Sequence, residues 1–142
     1  MKFICIGKNY SLFHPGVDIK KYPVCYASHS AIDAIKQILA ENNLSPNNVQ
    51  SIKCTIPKIV ASNLTYTDPK TVTEAQFSLE YALASIMHFG DLTLDNLNHE
   101  NIMNKDLRAY FSIIKTHVGN IPESKKSSDL ICPEWANIEL NT

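Results

Sequence analysis

The stretch Lys20-Lys21-Tyr22-Pro23-Val24-Cys25-Tyr26-Ala27-Ser28-His29-Ser30-Ala31-Ile32-Asp33 constrains the fold more than any other part of this chain. Pro23 forbids a helix across Lys20 to Val24 and biases Tyr22 toward an extended conformation. Directly afterwards Ser30 offers an N-cap, Asp33 stands at the capping-box position, and Ala31, Ile32, Ile35, Ile38 and Leu39 form a helical apolar stripe. The chain must pass from a stiff arm straight into a helix with one buried face. Two lysines, a tyrosine, a thiol and an imidazole sit at that junction.

The rest of the chain alternates between helical and extended patterns. His14-Pro15-Gly16 is a turn signal within an irregular lead-in. Asn42-Asn43 stops the first helix, because Asn tolerates the left-handed conformation. Val49 to Ile56 alternates, with Ile52, Cys54 and Ile56 on one face, and Pro57 ends it. Residues 58–72 carry few periodic apolar residues and read as a long loop. Leu79, Ala82, Leu83, Ile86 and Met87 predict a second helix, starting near Ser78 and closed by Gly90. Short helical pieces are expected at Leu94–Asn98 and Glu100–Asn104, then a helix from Lys105 to about Phe111 capped by Asn104. Ile113–Val118 reads as a strand, 119–133 as a polar loop, and Trp135–Leu140 as a final strand with Trp135 in the core. The pattern predicts an α+β fold: a small antiparallel sheet of three to four strands with helices packed on one face.

At 142 residues, 44% hydrophobic and 19% charged, the chain suits one domain with a single core, spanning 1–142. Thirteen Lys+Arg against fourteen Asp+Glu leave a net charge of −1 without a basic stripe, so no nucleic-acid partner is expected. The apolar run Met1 to Gly7 is too short for a signal-peptide core or a membrane span. Cys5, Cys25, Cys54 and Cys132 lack any C-x-x-C spacing, which fits free thiols in a reducing compartment. A cytoplasmic protein without a membrane partner is the expectation.

Cys25 and His29 lie four residues apart at the start of a helix, where an imidazole and the helix terminus can activate a thiol. The same pair also reads as a small apolar residue and a surface or capping side chain, since no oxyanion donor or base-orienting partner is identifiable. His14, Cys25 and His29 match no common zinc spacing, so no metal is expected. Lys20 and Lys21, on a restricted arm, can clamp a carboxylate or simply lie solvated. Tyr81 falls off the apolar stripe of its helix and offers a hydroxyl to a pocket or lies half-buried on the flank.

The stretch from Lys20 to Asp33 resembles the K-x-Y-P-x-C-x-x-[ST]-H-x-x-[IV]-D signature of the MmgE/PrpD family. Glu74-Ala75-Gln76-Phe77-Ser78-Leu79-Glu80-Tyr81-Ala82-Leu83-Ala84 is similar to that family's E-A-[KQ]-F-S-L-x-Y-[AV]-x-A block. Pro15-Gly16, the Val49–Pro57 strand and Gly90-Asp91 agree in order and spacing. The family includes 2-methylcitrate dehydratase, cis-aconitate decarboxylase and iminodisuccinate epimerase. The resemblance implies a lyase or epimerase acting on small polycarboxylates without metal or organic cofactor, usually dimeric, built from a large helical domain and a smaller α+β lid.

This chain is similar to the lid alone, from about Gly7 to Thr142. The resemblance implies that Lys20 grips a substrate carboxylate. His29 and Tyr81 match positions near the cleft, and Cys25 a position where members vary. Lys21 replaces the proline or other residue that often follows the lysine. No part of the chain resembles the helical domain that supplies the family's acid/base His and Asp. The expectation is therefore a lid that is inactive alone and pairs with a separate helical domain or with a second copy in a homo-oligomer. The alternative is a non-catalytic carboxylate-binding or protein-interaction module that keeps the lid fold.

Overall fold

Alternation decides the centre of the molecule. In a computed structural model that describes residues 16–120 and 135–142, strand β1 (Ser51–Ile56) buries Ile52, Cys54 and Ile56 and turns Lys53 outward. It is the middle strand of a three-stranded sheet in the order β2-β1-β3. Strand β2 (Ile114–Val118) runs parallel to it, with Ile114 opposite Ile52. Strand β3 (Asn137–Asn141) runs antiparallel, with Ile138 opposite Cys54.

The α+β class holds, but the sheet is mixed rather than antiparallel. Everything between β1 and β2, residues 57–113, is a long helical connection, and a connection of that length can return the chain in the parallel sense.

Helix α1 (His29–Glu41) buries Ala31, Ile32 and Ile35 and packs on α4 (Leu79–Phe89). It is preceded by a 3-10 turn, Tyr26–Ser28, so the helix starts earlier than its Ser30 signal. The Ser28 hydroxyl donates back to the Cys25 carbonyl at 2.8 Å instead of capping. At the other end Asn42 caps and Asn43 takes the left-handed conformation, φ 51°. In α4, buried from Leu79 through Met87, the Ser78 hydroxyl accepts from the Tyr81 N–H at 3.1 Å and Gly90 closes at φ 79°.

The expected loop over 58–72 opens with a helix, α2 (Lys58–Asn63), stays irregular over 64–71, and ends where α3 (Val72–Gln76) begins. Each buries one residue, Val60 and Ala75, too few to show a helical period in sequence. Thr71 and Glu74 start α3 with a reciprocal capping box. The intervening loop is fastened by Arg108, which donates to the Pro69 carbonyl at 3.0 Å and to the Ile102 carbonyl at 3.1 Å and pairs with Asp68.

Leu94–Asn96 is a 3-10 turn, and α5 (His99–Ile102) and α6 (Lys105–Ala109) follow. The Asn104 side chain caps α6 as expected, accepting from Asp106 and Leu107 N–H groups. Trp135 is only half-buried and precedes β3, which begins at Asn137, so it is not the core residue its place in the alternation suggested. The lead-in through residue 15 and the polar loop 121–134 lie outside the described residues, with His14, Pro15, Cys5 and Cys132.

Candidate functional site

The Lys20–Asp33 stretch folds back on itself. Tyr22 is almost fully buried, and its hydroxyl donates to Asp33 Oδ1 at 2.7 Å on the first turns of α1. Lys21 Nζ donates to the same oxygen at 2.6 Å. Burial alone would raise the Asp33 pKa, but these two donors outweigh it and hold the carboxyl below its ordinary value. Burial and the Asp33 hydrogen bond push the Tyr22 hydroxyl up, so it stays a donor. The arm is thereby locked to the helix it precedes.

The arm is also locked to the second signature block. The Cys25 N–H donates to the Gln76 carbonyl at 2.8 Å, and Gln76 Nε2 reaches the Pro23 carbonyl at 3.4 Å. The block itself reads as helix-end chemistry: Glu74 closes the capping box of α3, and Ser78 caps α4. Two motifs about fifty residues apart are a single hydrogen-bonded unit.

Beside this unit lies an open cleft of about 520 Å³, lined by Lys20, Lys21, Tyr22, Pro23, Lys36 and the turn Asp91–Leu94. Lys20 Nζ donates to the Val24 carbonyl at 3.0 Å, which curls the side chain over its own arm. Lys36 Nζ donates to Asp91 Oδ1 at 2.8 Å, tying α1 to the turn after α4. That bond raises the Lys36 pKa and is the largest cause of the lowered Asp91 pKa, helped by the Leu92 N–H at 2.9 Å. Lys21 and Lys36 both approach the Tyr22 ring, at 5.2 and 5.5 Å from its centroid. Three ammonium groups line the wall, Lys21 paired with Asp33 and Lys36 with Asp91, so Lys20, bonded to a neutral carbonyl, leaves a net positive charge there. Such a surface attracts anions.

Of the four residues singled out from sequence, Lys20 is on the cleft wall, and Cys25, His29 and Tyr81 are not among its lining residues. His29 is 93% buried, with the Tyr26 ring 4.7 Å away in a tilted contact and the Tyr22 ring edge-on at 5.2 Å. Burial lowers its pKa, against the opposing pull of the Tyr22 and Val24 carbonyls. Nε2 has no hydrogen-bond partner among the described residues, so it does not engage the Cys25 thiol. Tyr81 is fully buried and donates its hydroxyl to the Asn96 carbonyl at 2.5 Å, anchoring the turn that starts at the cleft rim with Leu94.

Lys36 and Asp91 were not singled out from sequence as cleft residues. Lys36 stands one turn beyond Asp33 on the polar side of α1, and Asp91 directly follows the Gly90 cap. Those were the only local signals. Among the described residues no group of three His, Cys, Asp or Glu side chains could hold a metal ion. No described helix is long and apolar enough to cross a membrane.

No curated protein matches the chain. The model of the MmgE/PrpD C-terminal domain matches residues 22–126, from the buried tyrosine of the arm through β2 and beyond, starting two residues after Lys20. It takes in Asp33, Lys36, the Gln76 block and Asp91, and leaves Lys20 and Lys21 of the cleft wall outside. With about three quarters of its length matched, the chain belongs to the MmgE/PrpD family, as a C-terminal domain.

Proposed function

We propose that this protein is the lid of an MmgE/PrpD-type lyase. Its lysine-lined cleft is one wall of the pocket for a small polycarboxylate such as 2-methylcitrate or cis-aconitate. The observation that carries the reading is the cleft itself: Lys20 borders it, and its described hydrogen bond goes to a neutral carbonyl, leaving ammonium protons for a ligand carboxylate.

Among the described residues the cleft lining includes no imidazole or thiol, and the lining carboxylate Asp91 is already paired with Lys36. Proton removal and leaving-group protonation need two positioned groups, so chemistry requires a second surface facing this one. A helical domain, joined in the same polypeptide or separate, fits that requirement. The same reading makes the protein cytoplasmic, cofactor-independent and part of a homo-oligomer.

The 142-residue chain alone is expected to show no turnover of 2-methylcitrate or cis-aconitate above background in a product-release assay. Mixing with a family helical domain restores activity, and Lys20→Ala abolishes the restored activity. Turnover by the lone chain, or a restored activity indifferent to Lys20→Ala, overturns the reading.

A further inference from the structure

We propose that Lys36 is a second carboxylate-binding residue of this cleft, held in reserve by Asp91, so that the lid grips two acid groups of its ligand. The inference rests on the carboxylate-binding reading of the cleft. Three observations carry it.

First, Lys36 borders the same cleft as Lys20 but comes from a different element, α1 rather than the arm. Two cations from different elements around one 520 Å³ space suit a ligand with two carboxylates. Second, the neighbouring charges are accounted for. Lys21 and Tyr22 share Asp33 Oδ1, and Lys36 shares Asp91 Oδ1 with the Leu92 N–H, so each carboxylate is engaged through one oxygen. Third, the Lys36–Asp91 pair is replaceable. The Asp91 side chain is 54% exposed, and exposed ion pairs are weak enough for a ligand anion to displace. Asp91 keeps a second partner, the Leu92 N–H, so its carboxylate is not stranded when Lys36 turns to the ligand. Asp91 thus acts as a stand-in for the second acid group, and competes with it.

The competition gives a signature that a purely structural ion pair would not. Citrate, succinate and acetate are titrated calorimetrically into the full 142-residue chain and into Lys20→Met, Lys36→Met and Asp91→Asn variants. Lys36→Met is expected to weaken citrate and succinate about tenfold, the loss of one charge-assisted contact at a half-exposed site, and to leave acetate unchanged. Asp91→Asn, which keeps the acceptor for the Leu92 N–H but releases Lys36, is expected to bind citrate more tightly than the parent chain.

If Lys20→Met weakens citrate while Lys36→Met does not, or if Asp91→Asn binds more weakly, the second grip is overturned and the one-lysine reading stands. If citrate does not bind the parent chain, or Lys20→Met binds it as well as the parent, the carboxylate reading falls and the inference falls with it. Thermal melts of each variant, compared with an Ala substitution at the distant exposed Lys105, show whether any loss of binding follows from unfolding instead. A Lys36→Met chain too unstable to titrate leaves the decision to Asp91→Asn, where tighter binding supports the second grip and unchanged or weaker binding overturns it.

Discussion

Tyr22 shows how one side chain fixes an arm. Its ring is in the core, its hydroxyl meets Asp33, and the backbone of its neighbours is tied to Gln76. Tyr22→Phe keeps the ring and removes one hydrogen bond, while Lys21 still satisfies Asp33. The expected cost is about 1 kcal/mol, read from urea denaturation. His29 makes a pH prediction. Burial holds its folded pKa below the unfolded value of about 6.5, so the folded protein binds the proton less readily than the unfolded chain. That contribution is fully present above pH 6.5 and is lost as pH falls below it. The urea midpoint is expected to drop between about pH 7.5 and 5, and to drop less in His29→Gln, which does not titrate. An equal drop in both proteins would show that other groups carry the acid sensitivity.

At this scale the sequence was only partly legible. The Lys20–Asp33 stretch contributes Lys20, Lys21, Tyr22 and Pro23 to the cleft wall. Cys25 and His29 looked like a pair by spacing alone. The fold gives the His29 imidazole aromatic and carbonyl neighbours, and Nε2 no described partner. Spacing along a chain says which side chains are near in sequence, and the 3-10 turn at Tyr26–Ser28 changes which way each one points. Lys36 and Asp91 could not be paired from sequence, because their contact spans 55 positions.

Element boundaries follow from end chemistry wherever that chemistry is strong. Ser78 and Gly90 define α4, Asn104 starts α6, and Asn42–Asn43 ends α1. Gly90 is in the left-handed region, yet an added Cβ would meet no atom within 4 Å. Gly90→Ala is therefore expected to cost about 1 kcal/mol through backbone strain alone, without a steric term, and to fray the last turn of α4. Amide hydrogen exchange confined to that turn would check it, and so would the denaturation midpoint. A cost several times larger would mean that the turn carrying Asp91 depends on this conformation. Where end signals were weak, as for α2, a helix of six residues with one buried contact passed for loop. The capping box of α3 was written in Thr71 and Glu74, but a five-residue helix has almost no periodic pattern to confirm it.

For the whole molecule, the central question is how β1 is covered on both sides. The family match ends at residue 126, yet the sheet is complete only with β3, which pairs with β1 from Ser51–Asn141 to Thr55–Asn137. Ile138 is buried against the core, and Glu139 accepts from Lys53 at 2.9 Å across the strands on the outer face. Removing residues 136–142 uncovers that edge of β1, and a bare, apolar-faced strand edge invites pairing between chains. The truncated protein is expected to lose its sharp unfolding transition and to elute as aggregates in size-exclusion chromatography. A monomer that still unfolds cooperatively would show that β2 and the helices suffice.

The sequence by itself determined the class and the family: alternation made β1, periodicity made α1 and α4, and two motifs in the right order matched the MmgE/PrpD C-terminal domain. These are properties written within a turn or two of chain, where caps, prolines and period act directly. Only the tertiary structure decided that β2 runs parallel, that the two motifs are hydrogen-bonded to each other, and that lysines from two elements face one cleft. The first two join residues more than fifty positions apart, and the third joins two elements whose lysines are sixteen positions apart across the turn into α1. Such contacts are set by how the helices pack over the sheet, which no local pattern specifies.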